Sequence, residues 1–237
     1  MLGHLWASNL TPTAQPPHAP PGAPRRRSAT PRRRGGTIAG VSTAIPPDAL
    51  PFTGDPEADR LLAADPLALL IGFTLDQQVT VQKAFAGPLE LRRRLGHLDA
   101  ARIAATEPDA LDEAFRRRPA LHRFPGAMAT RVRELCAVIT ERYAGDAARV
   151  WTEAADGRDL ERRLLDLPGV GEMKAKSLIA VLVKRFGVRP TGWEEVAPAW
   201  PTLGDVDSTE ALERYQAGKR AHKASLRAAA PEGKRAR

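Results

Sequence analysis

The stretch Leu165–Leu178, LDLPGVGEMKAKSL, leaves the chain few ways to fold. Pro168 fixes φ at the turn, and Gly169 and Gly171 permit backbone geometry closed to other residues. On either side, residues 157–166 and 172–186 carry apolar side chains at three- and four-residue spacing, so two amphipathic helices flank a tight turn. The second helix aims its free N–H groups and positive dipole end at whatever lies beside the turn. A phosphate fits there without side-chain chemistry, and Lys174 and Lys176 add positive charge. A turn of this kind also serves simply to join two helices, so the motif alone leaves both readings open.

The rest of the chain from Asp55 onward is helical in pattern. Asp55-Pro56 and Asp65-Pro66 each read as an N-cap followed by proline at the first helical position. Leu67, Leu70, Ile71, Thr74 and Leu75 mark a buried helix face. Further helices are expected at 88–95, 99–105, 108–117, 127–143 and 208–229, with Gly96, Gly145 and Gly187 where C-caps belong. Asp207 and Glu210 have capping-box spacing for the last of these. No alternation of period two stands out, so the expected class is all-α.

Charge is unevenly spread. Residues 1–47 hold six Arg, nine Pro and no acid, and residues 217–237 hold seven Lys/Arg against one Glu, so that each end carries +6 and residues 48–216 carry −4 of the +8 total. The expected organisation is a disordered extension over 1–47, a helical domain over 48–216 and a basic tail over 217–237. Basic tails raise affinity for a polyanion through counterion release but say little about the folded part. The Arg runs at 92–94 and 116–118 read as solvated helix faces. One cysteine, Cys136, excludes an intrachain disulfide and a four-Cys iron–sulfur site, and its apolar surroundings read as core. No apolar run reaches membrane-spanning length and no signal-peptide pattern opens the chain, so no membrane partner and a cytoplasmic location are expected.

LPGVGEMKA resembles the helix-hairpin-helix of the HhH-GPD DNA glycosylase superfamily, which includes endonuclease III and the alkyladenine glycosylases. LLIGFTLDQQVT (69–80) is similar to the family's early helix ending in Ser-x-Gln-x-Thr, with Asp76 where Ser is usual and Gln78 on the Gln. RFPGAMATRV (123–132) is similar to the segment opening a middle helix, with Met128 in place of Lys. The resemblance covers about 55–187 and extends to small actinobacterial base-excision repair proteins of the same type. It implies an all-α, two-lobed fold with a lesion pocket between the lobes, here without an iron–sulfur cluster because the chain has one cysteine. It implies a monomer at the nucleoid that binds double-stranded DNA through Gly169, Val170, Gly171, Lys174 and Lys176. A monovalent cation at the backbone of 167–171 and a Gln78 that probes the gap left by a flipped base belong to the same expectation, with no further cofactor.

The chain departs from the family at the catalytic carboxylate. The family's Asp lies in a Val-Asp pair opening the helix beyond the hairpin, where it stabilises cationic sugar character or activates the nucleophile. Here no Asp occurs between Gly171 and Asp205. The candidates are Asp205, ranked first for want of a capping role, then Glu194 and Glu195 beside Trp193, and Asp207, which also reads as an N-cap. In bifunctional members a Lys follows the final Gly by two residues; that position is Met173. Lys174 falls roughly 100° further round the helix, which aims it at phosphate rather than C1′ and keeps it protonated. A monofunctional glycosylase follows as the leading expectation. The rival is a non-catalytic DNA-binding or lesion-sensing module that kept the fold and lost the Asp.

Overall fold

The computed structural model describes residues 47–229, which are helical with no strand among them. The extension 1–47 therefore lies almost wholly, and the end of the basic tail entirely, outside the described residues. Helices α1 (Pro56–Ala64) and α2 (Pro66–Leu75) start as their Asp-Pro pairs predict. Asp55 accepts from the N–H of Glu57, and Asp65 accepts from those of Leu67 and Ala68. Every residue of α2 from Leu67 to Leu75 is buried, so this helix is the centre of the core rather than a one-faced surface helix.

Helix α3 (Val81–Leu95) begins a full two turns before the expected 88, capped by the Thr80 hydroxyl on the N–H of Lys83. Pro88, which looks like a helix start, sits inside it. The α2–α3 contact has no room for side chains at two glycines. A Cβ on Gly72 would stand 2.6 Å from Phe85 Cδ1, and one on Gly87 would stand 2.5 Å from Leu75 Cδ1. Phe85 in turn meets Phe52 and Phe73 edge to face, at centroid distances of 5.2 and 5.1 Å.

Helices α4 (Ala100–Ala105) and α5 (Pro108–Arg116) both pack on the long α6 (Pro125–Tyr143), which also meets α2. Cys136 is buried on α6 as its neighbours predict, and burial pushes its thiol up to about 12. Arg94 corrects the reading of the first Arg run as a solvated face. Its side chain is 3% exposed, and it donates to Glu90 and to the main-chain oxygens of Ala114, Arg117 and Pro119. The guanidinium thus satisfies the carbonyls at the end of α5 that have no partner inside their own helix.

The remaining elements are α7 (Arg149–Thr152), α8 (Gly157–Leu165), α9 (Glu172–Arg185), α10 (Trp193–Val196), a 3-10 turn at Leu203–Asp205, and α11 (Thr209–Ala229). α9 packs on α8 and on the 3-10 turn, and α8 packs on α7 and α10. Gly204 lies against α9 so closely that a Cβ would come within 2.5 Å of the Ala180 carbonyl. The last helix is continuous across residue 217, where the sequence suggests the tail begins.

Candidate functional site

The turn between α8 and α9 has the geometry its sequence calls for. Leu167 and Val170 are buried, the N–H of Val170 donates to Leu167 O at 3.1 Å, and Gly169 has φ +82°. A Cβ on Gly169 would stand 2.5 Å from Arg131 Cδ, so this glycine is demanded twice, by its backbone angle and by its neighbour. Gly171 is different. Its φ of −93° and ψ of 178° suit any residue, and a Cβ there would meet nothing within 4 Å. Nothing inside the protein requires glycine at 171. No side chain caps α9 either, so its first N–H groups are left for another partner.

Lys174 is not directed outward. Its Nζ donates to Thr74 O at 3.2 Å and Gly169 O at 3.1 Å, tying the hairpin to the last turn of α2. Burial lowers its pKa to about 8, against the pull of nearby Asp76 and with the help of Arg131. With a pKa of about 8 the amine is still largely protonated at neutral pH, so the expected charge is kept while two carbonyls draw the side chain inward. Helical side chains lean toward their own N-terminus, which brings this one over the hairpin, and the C-terminal carbonyls of α2 supply acceptors there. Lys176 is also engaged, with Nζ 2.8 Å from Val196 O and 2.8 Å from the Glu161 carboxylate. It fastens α10 to α8 and α9.

The turn after α2 carries Gln78, exposed and at φ +54°, a backbone angle disfavoured for a side-chain-bearing residue. Its neighbour Gln77 is held inward. Gln77 Oε1 accepts from Arg131 Nη1 at 3.2 Å, and its main-chain oxygen accepts from His122 Nε2 at 2.8 Å. His122 Nδ1 accepts from the N–H of Phe124 at 3.0 Å, so these bonds set the tautomer, and burial lowers the pKa of the ring. His122 is therefore a buried structural residue, 2% exposed, with both ring nitrogens engaged. Phe124 is a surface residue the sequence analysis passes over: it is 42% exposed, with the Arg123 guanidinium 5.3 Å from its ring centroid. The available signal was a large aromatic directly before a helix-opening proline. Met173, on the first turn of α9, is 68% exposed. Hydrogen bonds through Gln77, His122, Arg131 and Lys174 thus link the end of α2, the start of α6 and the hairpin.

The four alternative carboxylate candidates lie on α10, on the 3-10 turn and just before α11. Asp205 has a capping duty that its sequence context does not reveal. It forms a capping box with Thr202, accepting from that residue's N–H at 2.8 Å, and pairs with Lys184 Nζ at 2.6 Å. Burial opposes its ionisation, yet Lys184 and Thr202 outweigh burial and hold the carboxyl below its ordinary range. Asp207 is exposed and does not cap α11; Ser208 does, its hydroxyl accepting from the N–H of Ala211 at 3.2 Å. Glu194 and Glu195 stand exposed on α10. Glu195 pairs at 2.9 Å with Arg158, near the start of α8 and so about 10 Å along that helix from the hairpin end. Trp193 is partly packed against the core and has the Arg189 guanidinium 5.6 Å from its ring centroid.

Asp76 is the carboxylate closest in sequence to this hydrogen-bonded junction. It caps the C-terminus of α2 through its main-chain N–H, on Gly72 O and Phe73 O, which leaves the side chain uncommitted. Burial raises its pKa, opposed by Lys219 of α11 and by Lys174. Two cavities of about 510 and about 250 Å³ lie along α5 and α6, lined chiefly by Asp109, Asp112, Arg116 and Arg133, and neither includes a candidate catalytic or DNA-binding residue. No protein-family model and no curated protein matches the chain.

Proposed function

We propose that the protein is a DNA base-excision glycosylase of the helix-hairpin-helix type, which binds duplex DNA, turns a damaged base out of the stack and releases it by hydrolysis. The observation that carries this reading is Gly171. A glycine without any intramolecular need, at the head of an uncapped 14-residue helix, is what close approach of a phosphate asks for. The main-chain N–H groups of the first turn of α9 then bind the phosphate, and Lys174 acts behind them by fixing the hairpin. Since Gly169 O already holds the Lys174 ammonium, no step depends on a bound monovalent cation.

Flipping is required because the glycosidic carbon of a stacked base is shielded. Exposed Gln78, held in its unusual backbone angle, offers an amide to the vacated position. Phe124 offers a face on which a base stacks. Met173 stands where a Schiff-base Lys would be needed, and its thioether forms no imine, so water is the nucleophile. A monomer acting at the nucleoid suits this chemistry.

The rival reading, a non-catalytic lesion-binding module, is favoured by one observation: Asp205 and Glu195 are both taken up in ion pairs. Duplexes carrying uracil, hypoxanthine, alkylated purines or oxidised bases, each scored for binding and for base release, separate the two. Release of any one base supports the glycosylase. Lesion-selective binding without release from any duplex supports the module.

A further inference from the structure

Lys174 reaches the end of α2, where the Asp76 side chain is left uncommitted, and the hairpin reading gives a purpose to Lys174 alone among the ionisable groups near that point. Asp76 comes from the C-terminus of α2, Lys174 from the first turn of α9, and Tyr215 and Lys219 from α11. α11 is fixed beside the start of α3 by Gln216, whose amide donates to Gln82 Oε1 at 2.7 Å, and within α11 the Lys219 Nζ lies 5.3 Å from the Tyr215 ring centroid. From the α6 side, Arg131 reaches the Gln77 side chain, and neutral His122, in the loop before α6, donates to the Gln77 main-chain oxygen. We infer that Asp76, and not any carboxylate beyond the hairpin, is the catalytic carboxylate of the glycosylase proposed above, with Lys174 as its positioning residue.

Position argues first. An Asp at a helix C-terminus faces the negative end of the helix dipole, an unfavourable place for a carboxylate. Asp76 occupies that place at the end of a fully buried helix, and its capping work is done by the main chain alone. A carboxylate that burdens the fold and carries no structural bond is best explained by chemistry. The reverse holds for Asp205, whose oxygens are occupied by Lys184 and Thr202. Electrostatics argue second. The Lys174 and Lys219 ammonium groups favour the ionised carboxylate that burial opposes. Tyr215, pushed up to about 12 by burial with Asp76 and Asp205 adding to it, stays a neutral hydroxyl.

The reaction this arrangement serves is a balanced hydrolysis. A water oxygen bonds to C1′ as the C1′–N bond breaks, the bonding pair leaves with the base, and Asp76 takes the water's proton. The base then recovers one proton, from Asp76 or from solvent, so that water is the sole co-reactant. Lys174 does not touch the sugar. It holds the α2 end and the hairpin together, and with them the distance from bound phosphate to carboxylate.

The inference rests on the glycosylase reading, and a crossed pair of variants tests the two separately. Asp76→Asn should cut single-turnover base release by at least about 100-fold, the range of a lost acid–base group, with duplex binding retained and thermal stability equal or higher. Asp76→Glu should recover part of the rate. Asp205→Asn should lower stability yet release base within a few-fold of the full rate. In the wild type, release should fall on acidification through a pKa above the ordinary carboxylate range, and Asp76→Glu should shift that limb. Full activity in Asp76→Asn, or its loss in a folded Asp205→Asn protein, overturns the assignment while leaving the glycosylase reading intact. A wild type that binds damaged duplex and releases no base overturns both.

Discussion

The side-chain ammonium of Lys174, in the first turn after the hairpin, donates to the main-chain oxygen of Thr74, one hundred residues earlier in the chain, at 3.2 Å. The same ammonium holds Gly169 O at 3.1 Å. One side chain thus closes the helix-hairpin-helix onto the end of the central helix α2, the helix that ends in Asp76.

Lys174→Met should loosen that closure. Charge-assisted hydrogen bonds of this kind contribute about 1.5–3 kcal/mol each way, and relief from burying the ammonium offsets part of it. A net loss of about 1 kcal/mol in denaturant unfolding is expected, with weaker duplex binding. An unchanged midpoint would show that the two carbonyls do not need their donor. Borohydride trapping on the preferred lesion should give no covalent protein–DNA adduct, because Met173 forms no imine and Lys174 is held by two carbonyls. An adduct lost in Lys174→Met would make Lys174 the nucleophile.

The two hairpin glycines should separate. Gly169→Ala forces a Cβ to within 2.5 Å of Arg131 Cδ at a positive φ, and should destabilise the fold by about 1–2 kcal/mol. Gly171→Ala meets no neighbour and should leave stability unchanged. Its added methyl should nonetheless weaken duplex binding about tenfold, or 1.4 kcal/mol. If Gly171→Ala binds duplex as tightly as the parent, the turn serves only to join its helices.

The turn itself, the all-α class and the starts of α1 and α2 were legible in the sequence because each depends on neighbours in the chain: Asp55-Pro56, Asp65-Pro66, Pro168-Gly169. The start of α3 was missed because Pro88 resembles an opening, whereas the Thr80 cap and packing against α2 carry the helix back to Val81. Catalytic candidates were the least legible. Spacing cannot reveal that Lys184 reaches Asp205 or that Thr202 completes its capping box, because both bonds follow from how the 3-10 turn docks on α9. Nor can helical azimuth say where a Lys ends. Lys174 and Lys176 are two residues apart, yet one goes to α2 and the other to α10, each drawn by a free carbonyl.

Stability should depend on pH through Asp205. Its carboxyl is held below the ordinary 3.8 in the folded protein, so the unfolded chain takes up a proton first as pH falls. The contribution is fully present above about 3.8 and is lost as pH drops through the lower folded pKa. Asp205→Asn should therefore melt below wild type at neutral pH, with the gap closing under acid conditions. Both side chains of the pair are about 40% exposed, so salt should narrow the gap as well. A gap that persists unchanged at low pH would assign the effect to packing.

Removing the basic termini should alter salt dependence rather than lesion choice. Residues 1–47 and 217–237 each carry +6. Deleting 1–47 should flatten the plot of log affinity against log salt, because the number of phosphates neutralised sets that slope. Preference for damaged over undamaged duplex should survive. Loss of that preference on deletion would place recognition in the extension.

The most direct measurement is a mass balance under single turnover on the damaged-duplex panel, with free base and the strand left behind both quantified by mass spectrometry. A monofunctional glycosylase should yield free base and an unbroken abasic strand in equal amounts from at least one duplex, and Asp76→Asn should yield neither. Complexes formed on damaged duplex from which every base is recovered still attached to its sugar would contradict the proposed function.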